Sequence, residues 1–245
     1  MPQLWRNRRP LTIHRPTIRP ATGECRPLQP PAPSHATRAT PMQDTVIDLI
    51  RHGEPVGGRM IRGNGCDHPL SATGWAQMRA AVAPALRDGS RWQQIVTSPM
   101  SRCRGFAVEL ASRLGLALAV EPELREIGMG AWEGRRPAEV AAAAPDAFWA
   151  FRADPVAHRP PGGEQLADFR RRIARAYARQ LAHWPGQRLL IVCHAGVSRA
   201  VLGHVLGADD AAWYRMVIDY AGVSRIRHGP HGAAVEYVNA ARARA

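Results

Sequence analysis

The sequence predicts an α/β protein built as a three-layer α/β/α sandwich with a mostly parallel central sheet. Short apolar runs typical of buried strands alternate along the chain with longer segments whose apolar residues repeat at helical spacing. Strands that alternate with helices tend to pair in parallel, and helices then cover both faces of the sheet. A length of 245 residues, 45% of them hydrophobic, is enough for one domain with a substantial core.

The elements predicted in the first half are a strand at 46–51, a helix at 71–87, a strand at 94–97, a helix at 100–114 and a strand at 116–120. The first strand is an almost uninterrupted apolar run, which is typical of a strand buried on both faces. In the first helix Trp75, Met78 and Val82 recur at helical spacing and form one apolar face. Phe106 and Leu110 have the same spacing in the second helix.

The second half begins with a mixed segment at 121–161 that contains proline, glycine, tryptophan and short helical pieces. The elements predicted after it are a helix at 164–183, a strand at 188–193, a helix at 197–206 and two strands near 223–227 and 234–238. In the long helix Phe169, Ile173 and Tyr177 face inward. The strand at 188–193 contains the strongest apolar run of the chain.

Residues 1–42 differ in composition from the rest. This segment is rich in arginine and proline and has no hydrophobic period, so it cannot bury enough surface to offset its ordering entropy. We predict a disordered extension at 1–42 and a folded domain at 43–245. The segment lacks the apolar central run of a secretory signal, and Met42 is a sensible alternative start.

Composition limits the functional classes. The formal net charge is +13 without a single lysine, a bias that reflects genome composition more simply than function. No apolar run approaches the length of a membrane span, so no membrane partner is expected. The four cysteines have neither zinc-site nor disulfide-scaffold spacing, which predicts a reducing compartment, the cytoplasm, and no metal cofactor.

Three motifs that directly follow predicted strands carry side chains suited to anion chemistry. Arg51 and His52 follow the first strand, Arg102 follows the second, and His194 follows the fourth. The carboxyl edge of an open α/β sheet is where ligands bind. A guanidinium can hold a phosphate through two parallel hydrogen bonds, and an imidazole can attack phosphorus. Taken singly, each of these residues could equally be an ordinary structural or solvated side chain.

A fourth motif, residues 124–134, places two carboxylates in an apolar setting rich in glycine and tryptophan. Desolvation and anionic neighbours raise the pKa of a carboxyl group, which then keeps a proton for a leaving group. Glu126 and Glu133 both meet this description. The residues alone do not separate them.

Together the four motifs resemble those of the histidine phosphatase superfamily, whose fold is phosphoglycerate mutase-like. The resemblance extends over roughly residues 45–240. It rests on Arg-His-Gly-Glu at 51–54, Ser-Pro-x-x-Arg at 98–102, Leu-x-Glu-x-x-x-Gly-x-Trp-Glu-Gly at 124–134 and the second histidine, His194.

The resemblance implies a role for each motif. His52 attacks the phosphoryl group and forms a phosphohistidine, while Arg51, Arg102 and His194 surround the phosphoryl oxygens. A protonated His194 would strengthen this pocket. Glu126, rather than Glu133, then protonates the leaving oxygen and later activates water. No metal is implied, because the arginines supply the positive charge.

Three further residues near these motifs are possible substrate contacts. Arg62 and Asn64, before the first helix, are candidate substrate contacts, as is Ala195 beside the second histidine.

Two polar residues are expected to have structural roles. Asp67, together with Ser71, is expected to build the turn and the N-cap of the first helix. Glu164 is expected to cap the long helix, with the orientation of catalytic groups as its alternative role.

The segment after Arg-His-Gly-Glu favours a phosphatase over a mutase. Pro55 lies where mutase-like members have a Ser-x-Trp-Asn context, and the stretch at 121–161 is short for a mutase cap. The chain most resembles the α-ribazole phosphatase branch, whose members act late in cobalamin assembly, although many relatives act broadly on phosphate monoesters. We therefore expect a phosphomonoesterase acting on a phosphorylated small molecule, with phosphoglycerate mutase as the alternative.

A basic nucleic-acid-binding protein is a more distant alternative, suggested by the charge. Five arginines lie on the long helix: Arg170, Arg171, Arg172, Arg175 and Arg179. They fit a solvated outer face equally well, and aromatic residues for base stacking are scarce. A binding protein with a degenerate site is disfavoured because every catalytic position is intact. The oligomeric state is left open.

Overall fold

The structure, a computed structural model, describes residues 43–89 and 91–240, so the extension predicted at 1–42 lies outside the described residues. The strands are β1 (Thr45–Arg51), β2 (Gln94–Thr97), β3 (Leu118–Val120), β4 (Arg188–Cys193), β5 (Val223–Gly229) and β6 (Gly232–Ala240). The helices are α1 (Ala72–Arg87), α2 (Ser101–Leu114), α3 (Pro137–Ala143), α4 (Pro145–Ala153), α5 (Leu166–His183) and α6 (Ala195–Leu206). Within these ranges no helix is long and apolar enough to cross a membrane.

The strands form one mixed sheet in the order β3-β2-β4-β1-β5-β6. The first four strands of this order pair in parallel, whereas β5 and β6 are antiparallel to their neighbours. The link between β5 and β6 is only two residues long, which permits a hairpin but not a parallel crossover. The predicted α/β class with a mostly parallel sheet is confirmed.

Alternating side chains of the central strands face two separate cores. Ile47 of β1 and Leu189 of β4 pack against helices α5 and α6 in one cluster. Ile50 and Leu190 point the other way and join the cluster formed with α1 and α2. This period of two gives the sheet an apolar surface on both faces, as a central sheet between two helical layers requires.

Several predicted boundaries differ from the structure by one or two residues. Strand β3 begins at Leu118 rather than at residue 116, because the backbone N–H of Leu116 donates to the carbonyl of Ala111. Gly115 takes the left-handed conformation, with φ of 64°, so this bond completes the end of α2. Helix α6 begins at Ala195, two residues earlier than predicted, directly behind the second histidine motif.

The arginines of α5 are engaged with acidic residues. Each of the five has a carboxylate within ion-pair distance, on Asp210, Asp168, Glu164, Glu123 or Glu121. Exposed pairs of this kind contribute little stability, but they neutralise the helix face. On this helix the positive charge of the arginines is thus compensated by nearby carboxylates.

Candidate active site

The motifs that follow β1, β2 and β4 lie at one edge of the sheet, because these three strands are neighbours. The register pairs Arg51 with Cys193, so β1 and β4 end at the same level. Beyond the strands, the backbone N–H of His52 donates to the carbonyl of Cys193 at 2.9 Å, and that of Ser98 donates to Val192 at 3.0 Å. The two histidine motifs and the arginine motif thus begin at the same level along one edge of the sheet.

His52 presents a ring nitrogen with a lone pair. Its Nδ1 lies 2.7 Å from the carbonyl oxygen of Gly53. Since a carbonyl only accepts, Nδ1 carries the proton and Nε2 is the unprotonated nitrogen of the neutral ring. Burial, and next the charges of Arg51 and Arg102, lower the pKa of His52 well below its ordinary 6.5. The ring is therefore neutral near pH 7, the form in which Nε2 can act as a nucleophile.

Close backbone contact holds the turn after His52 against α1. A Cβ atom on Gly53 would lie 2.3 Å from the carbonyl oxygen of Gly74, so only glycine fits there. Ser71 caps α1 as predicted: its Oγ accepts from the Gly74 N–H and donates to the carbonyl of Glu54, both at 3.0 Å. These contacts fix the backbone that carries the histidine.

His194 is the N-cap residue of α6 and lies beside His52. The two ring centroids are 5.2 Å apart, and His194 Nε2 lies 2.7 Å from the Ser98 hydroxyl. Complete burial, followed by the charge of Arg102, lowers the pKa of His194 well below 6.5. The protonated His194 that would strengthen the pocket is therefore disfavoured in this structure, because a buried imidazolium among cations is unfavourable.

Three guanidinium groups surround His52, those of Arg51, Arg62 and Arg102, and all three lower its pKa. Each has a buried Nε without a hydrogen-bond partner among the described residues. A buried N–H without a partner is costly, and the preferred partners of a guanidinium are carboxylate and phosphate oxygens. Three such groups around one histidine form a site suited to a phosphoryl group.

The terminal nitrogens of two of these arginines fix the neighbouring loops. Arg102, only 1% exposed, donates to the carbonyls of Cys66 and Gly63, both at 2.8 Å. Arg62 donates to the carbonyls of Val56 and Gly58, also at 2.8 Å. Arg62, predicted as a substrate contact, therefore also holds the preceding loop, which contains Val56 and Gly58, in place.

Glu126 lies next to the second histidine motif. One carboxyl oxygen accepts from the backbone N–H of Gly196 in the first turn of α6 at 3.1 Å, and the other accepts from Ile127 at 3.0 Å. The carboxylate also acts on the pKa of Arg51, which it raises while burial lowers it. Glu126 thus lies at the same edge of the sheet as Arg51 and His194.

Glu133 has a different surrounding. Its carboxylate accepts from the backbone N–H groups of Asn64, Gly65 and Met129, at 3.2, 2.8 and 2.8 Å. Three main-chain donors engage this carboxylate, and two of them, Asn64 and Gly65, belong to the loop whose carbonyls accept from Arg102. The geometry therefore separates the two carboxylates that the residues alone left equivalent.

Glu164 does not cap α5, so that prediction is wrong. Its carboxylate pairs with Arg172 through two bonds, at 2.7 and 2.9 Å, and accepts from the N–H of Gly128 at 3.0 Å. Arg172 also donates to the carbonyls of Arg125 and Glu126, at 2.7 and 2.9 Å. A bidentate guanidinium is a stronger partner than a helix end. The Glu164–Arg172 pair contacts the backbone of Glu126, which is compatible with the alternative role expected for Glu164.

Asp67 caps a different helix from the one predicted. Its carboxylate accepts from the backbone N–H and the hydroxyl of Ser101 at the start of α2, at 2.8 and 2.9 Å. The two remaining predicted contacts lie at the rim: Asn64 is exposed on the loop that Glu133 holds, and Ala195 is partly exposed at the start of α6.

Tyr220 is a residue of this site that belongs to none of the sequence motifs. The Arg51 guanidinium carbon lies 4.1 Å from the centroid of its ring, and the His52 ring lies 5.9 Å away. Tyr220 precedes β5, which runs antiparallel to β1, so the beginning of β5 meets the carboxyl end of β1. Tyr220 could have been identified only from the antiparallel direction of β5 relative to β1, and local hydrophobic periodicity does not encode strand direction.

The two buried histidines should make stability depend on pH. Because their folded pKa values lie below the unfolded value of 6.5, the unfolded chain binds more protons below that pH, and stability is lost as the pH falls. We expect the free energy of unfolding to decrease by up to about 1.4 kcal/mol per pH unit for each histidine. Urea denaturation from about pH 7.5 to about pH 5.5 measures this slope.

A matched pair of variants separates this effect from general acid sensitivity. His52→Asn should reduce the slope, whereas His183→Asn, at an exposed position of α5, should leave it unchanged. An identical slope in the wild type and in His52→Asn would contradict the assignment.

Comparisons with known proteins bear on this geometry. The family model described as histidine phosphatase superfamily (branch 1) matches residues 47–241. A bifunctional protein of Mycobacterium tuberculosis is 33% identical over 204 residues, which cover 82% of this chain and 55% of that protein. The chain thus spans about half the length of that relative.

Two further proteins match over most of their length. A glucosyl-3-phosphoglycerate phosphatase of Mycobacterium tuberculosis is 34% identical over 177 residues, which cover 67% of this chain and 77% of that protein. The crystal structure of an α-ribazole phosphatase from Shigella flexneri matches with a TM-score of 0.68 and 26% identity, and covers 80% of this chain and 97% of that one.

Proposed function

Since the chain belongs to the histidine phosphatase superfamily, we propose that it hydrolyses phosphate monoesters of small molecules through a phosphohistidine on His52. The observation that carries this proposal is the unprotonated Nε2 of a neutral histidine surrounded by three guanidinium groups, each with a buried Nε that has no hydrogen-bond partner within residues 43–89 and 91–240. Nucleophile and anion site are already adjacent, which reduces the reorganisation required during reaction.

In the first step, Nε2 of His52 attacks phosphorus and the bond to the ester oxygen breaks. Arg51 and Arg102 neutralise the charge that spreads over the phosphoryl oxygens. His194 donates a hydrogen bond to one of them. Glu126 transfers a proton to the departing oxygen, so that an alcohol leaves rather than an alkoxide.

In the second step, Glu126 is a carboxylate and acts as a base. It takes a proton from a water molecule, whose oxygen attacks the phosphorus of the phosphohistidine. The phosphorus–nitrogen bond breaks and its electron pair returns to Nε2. Release of inorganic phosphate restores the neutral imidazole.

A phosphatase and a phosphoglycerate mutase differ in what accepts the phosphoryl group from the phosphohistidine: water in the phosphatase, and a hydroxyl group of glycerate in the mutase. With 3-phosphoglycerate as substrate, we expect inorganic phosphate and glycerate as products, without 2-phosphoglycerate. Labelled phosphate should remain on the chain after an alkaline denaturing quench, because phosphohistidine survives in base. Formation of 2-phosphoglycerate would favour the mutase, and label retained by His52→Ala would exclude His52 as the nucleophile.

The substrate within this class is a finer question. Two related proteins act on different organic groups, an α-ribazole phosphate and a glucosyl-3-phosphoglycerate, according to their names. We propose α-ribazole 5′-phosphate, which would place the reaction in cobalamin biosynthesis, or a broad range of monoesters. A panel of both compounds with sugar phosphates and nucleotides, compared by kcat/KM, decides between a single preferred ester and broad activity.

We further propose that residues 43–245 carry the activity and that the enzyme acts in the cytoplasm. The family match within 47–241 supports the first point. Three cysteines of the described chain are unpaired thiols, in keeping with a reducing compartment.

A further inference from the structure

A turn with an unusual backbone carries Tyr220 to the catalytic edge. Ala221 has a φ of 56°, in the left-handed region that residues other than glycine rarely adopt. Its neighbour Gly222 is tightly confined, since a Cβ there would lie 2.1 Å from Oδ1 of Asn239. Such a backbone persists only where its surroundings determine it, and such places cluster at functional sites.

The surroundings of this turn include the catalytic strand itself. The backbone N–H of Arg51 donates to the carbonyl of Gly222 at 3.1 Å, and that of Ala221 donates to the carbonyl of His52 at 3.3 Å. The Arg51 side chain adds a third connection, from Nη1 to the carbonyl of Ile218 at 2.7 Å. The turn and the end of β1 therefore hold a defined position relative to each other.

The result is a tyrosine ring stacked on a phosphate-site arginine. The ring centroid lies 4.1 Å from the guanidinium carbon of Arg51, within the range of a cation–π contact. With one face covered by Tyr220 and Nη1 bound to Ile218, the guanidinium has little rotational freedom. Its Nε, buried and without a partner among the described residues, stays available to an incoming anion.

We propose that Tyr220 is a positioning residue that holds the Arg51 guanidinium in the orientation that binds the phosphoryl group, an inference that rests on the proposed function. Without the ring, Arg51 gains conformations that do not meet the phosphoryl oxygens. Each binding event then has to restrict the conformations of the Arg51 side chain, which costs conformational entropy. The loss should therefore appear in anion affinity as well as in turnover.

Orthovanadate and inorganic phosphate serve as probes of the site in the full-length chain, with p-nitrophenyl phosphate as substrate. Tyr220→Leu should weaken inhibition by both anions, and lower kcat/KM, by about 3- to 30-fold. Tyr220→Phe keeps the stack and should stay within about 3-fold of the wild type. Tyr237→Leu removes a comparable stack, over Arg225 on another part of the sheet, and should leave both quantities unchanged.

A double-mutant cycle with Arg51→Lys tests whether Tyr220 acts through Arg51. In the lysine background the effect of Tyr220→Leu should shrink to less than about half, on a logarithmic scale. Equal effects in both backgrounds, or unchanged anion inhibition in a folded leucine variant, would overturn the proposal.

Two controls keep the outcome decisive. If circular dichroism shows that the leucine variant is unfolded, Tyr220→Met is measured in its place, because it retains more bulk without a π face. If both variants are unfolded, Tyr220→His is measured, and its weaker aromatic face should weaken anion binding. Wild-type-like anion inhibition in Tyr220→His would overturn the stack as the cause. Full activity in His52→Ala would reject the proposed function itself. If His52→Ala loses activity while the Tyr220→Leu variant is inhibited by anions as strongly as the wild type, only the positioning role of Tyr220 is rejected.

Discussion

Replacement of His52 by alanine should lower kcat by about 10⁴-fold or more while the chain stays folded. The proposed reaction forms its covalent bond at Nε2, and the variant has no other nucleophile in that position. The bond from Nδ1 to the Gly53 carbonyl selects the tautomer that leaves Nε2 unprotonated, so the whole side chain serves the first step. Steady-state hydrolysis of p-nitrophenyl phosphate measures the loss.

His204→Ala is the matched control for this experiment. His204 is exposed on α6, the helix behind the second histidine motif, and contacts no proposed catalytic group. Its replacement should leave kcat within about 2-fold of the wild type, as expected for a surface substitution. Substantial turnover by a folded His52→Ala variant would contradict the phosphohistidine route.

Replacement of Glu126 by glutamine should lower kcat for alkyl phosphates by about 10²- to 10⁴-fold, the usual contribution of a general acid or base. The amide keeps the size of the side chain but can neither give nor take the proton. The effect should depend on the leaving group, because p-nitrophenolate departs without protonation. The first step with p-nitrophenyl phosphate should therefore stay fast.

The second step still requires a base, so Glu126→Gln should show a burst. Stopped-flow absorbance should record about one equivalent of p-nitrophenolate per active site, followed by slow turnover. Glu133→Gln is the control, since Glu133 contacts only backbone N–H groups in the described structure and should affect stability without leaving-group dependence. Equal losses for all esters without a burst would contradict the role of Glu126.

The residues that hold Glu126 in place come from segments that are distant in sequence. Its carboxyl group contacts the N–H of Gly196, and its backbone rests on Arg172, which is itself paired with Glu164. A change in any of these partners would alter the position of the proposed proton donor. Such displacements matter because proton transfer requires hydrogen-bond distance.

Some of this arrangement was predictable because it is encoded locally. Strands and helices follow from apolar periodicity, which reflects the faces they bury. Motifs placed directly after β1, β2 and β4 meet at one edge because parallel strands end together. The family resemblance then added roles for Arg51, Arg102 and Glu126, and the geometry is compatible with those roles.

Other features depended on partners far away in the chain. Glu126 and Glu133 are seven residues apart in similar local sequence, and the backbone N–H groups that bond to their carboxylates come from different segments of the fold. The expected cap role of Glu164 failed because Arg172, two helical turns later, offers a stronger bond. No local pattern contains either contact.

What the sequence determined by itself is the fold class, the family and the residues proposed to carry the chemistry, because periodicity and motif spacing are properties of short segments. Only the tertiary structure decided the lowered pKa of His194, the separation of the two carboxylates and the place of Tyr220. Each of these depends on burial or on a contact across the sheet. Burial and long-range contact are set by all packed elements together, so they exist only once the chain has folded.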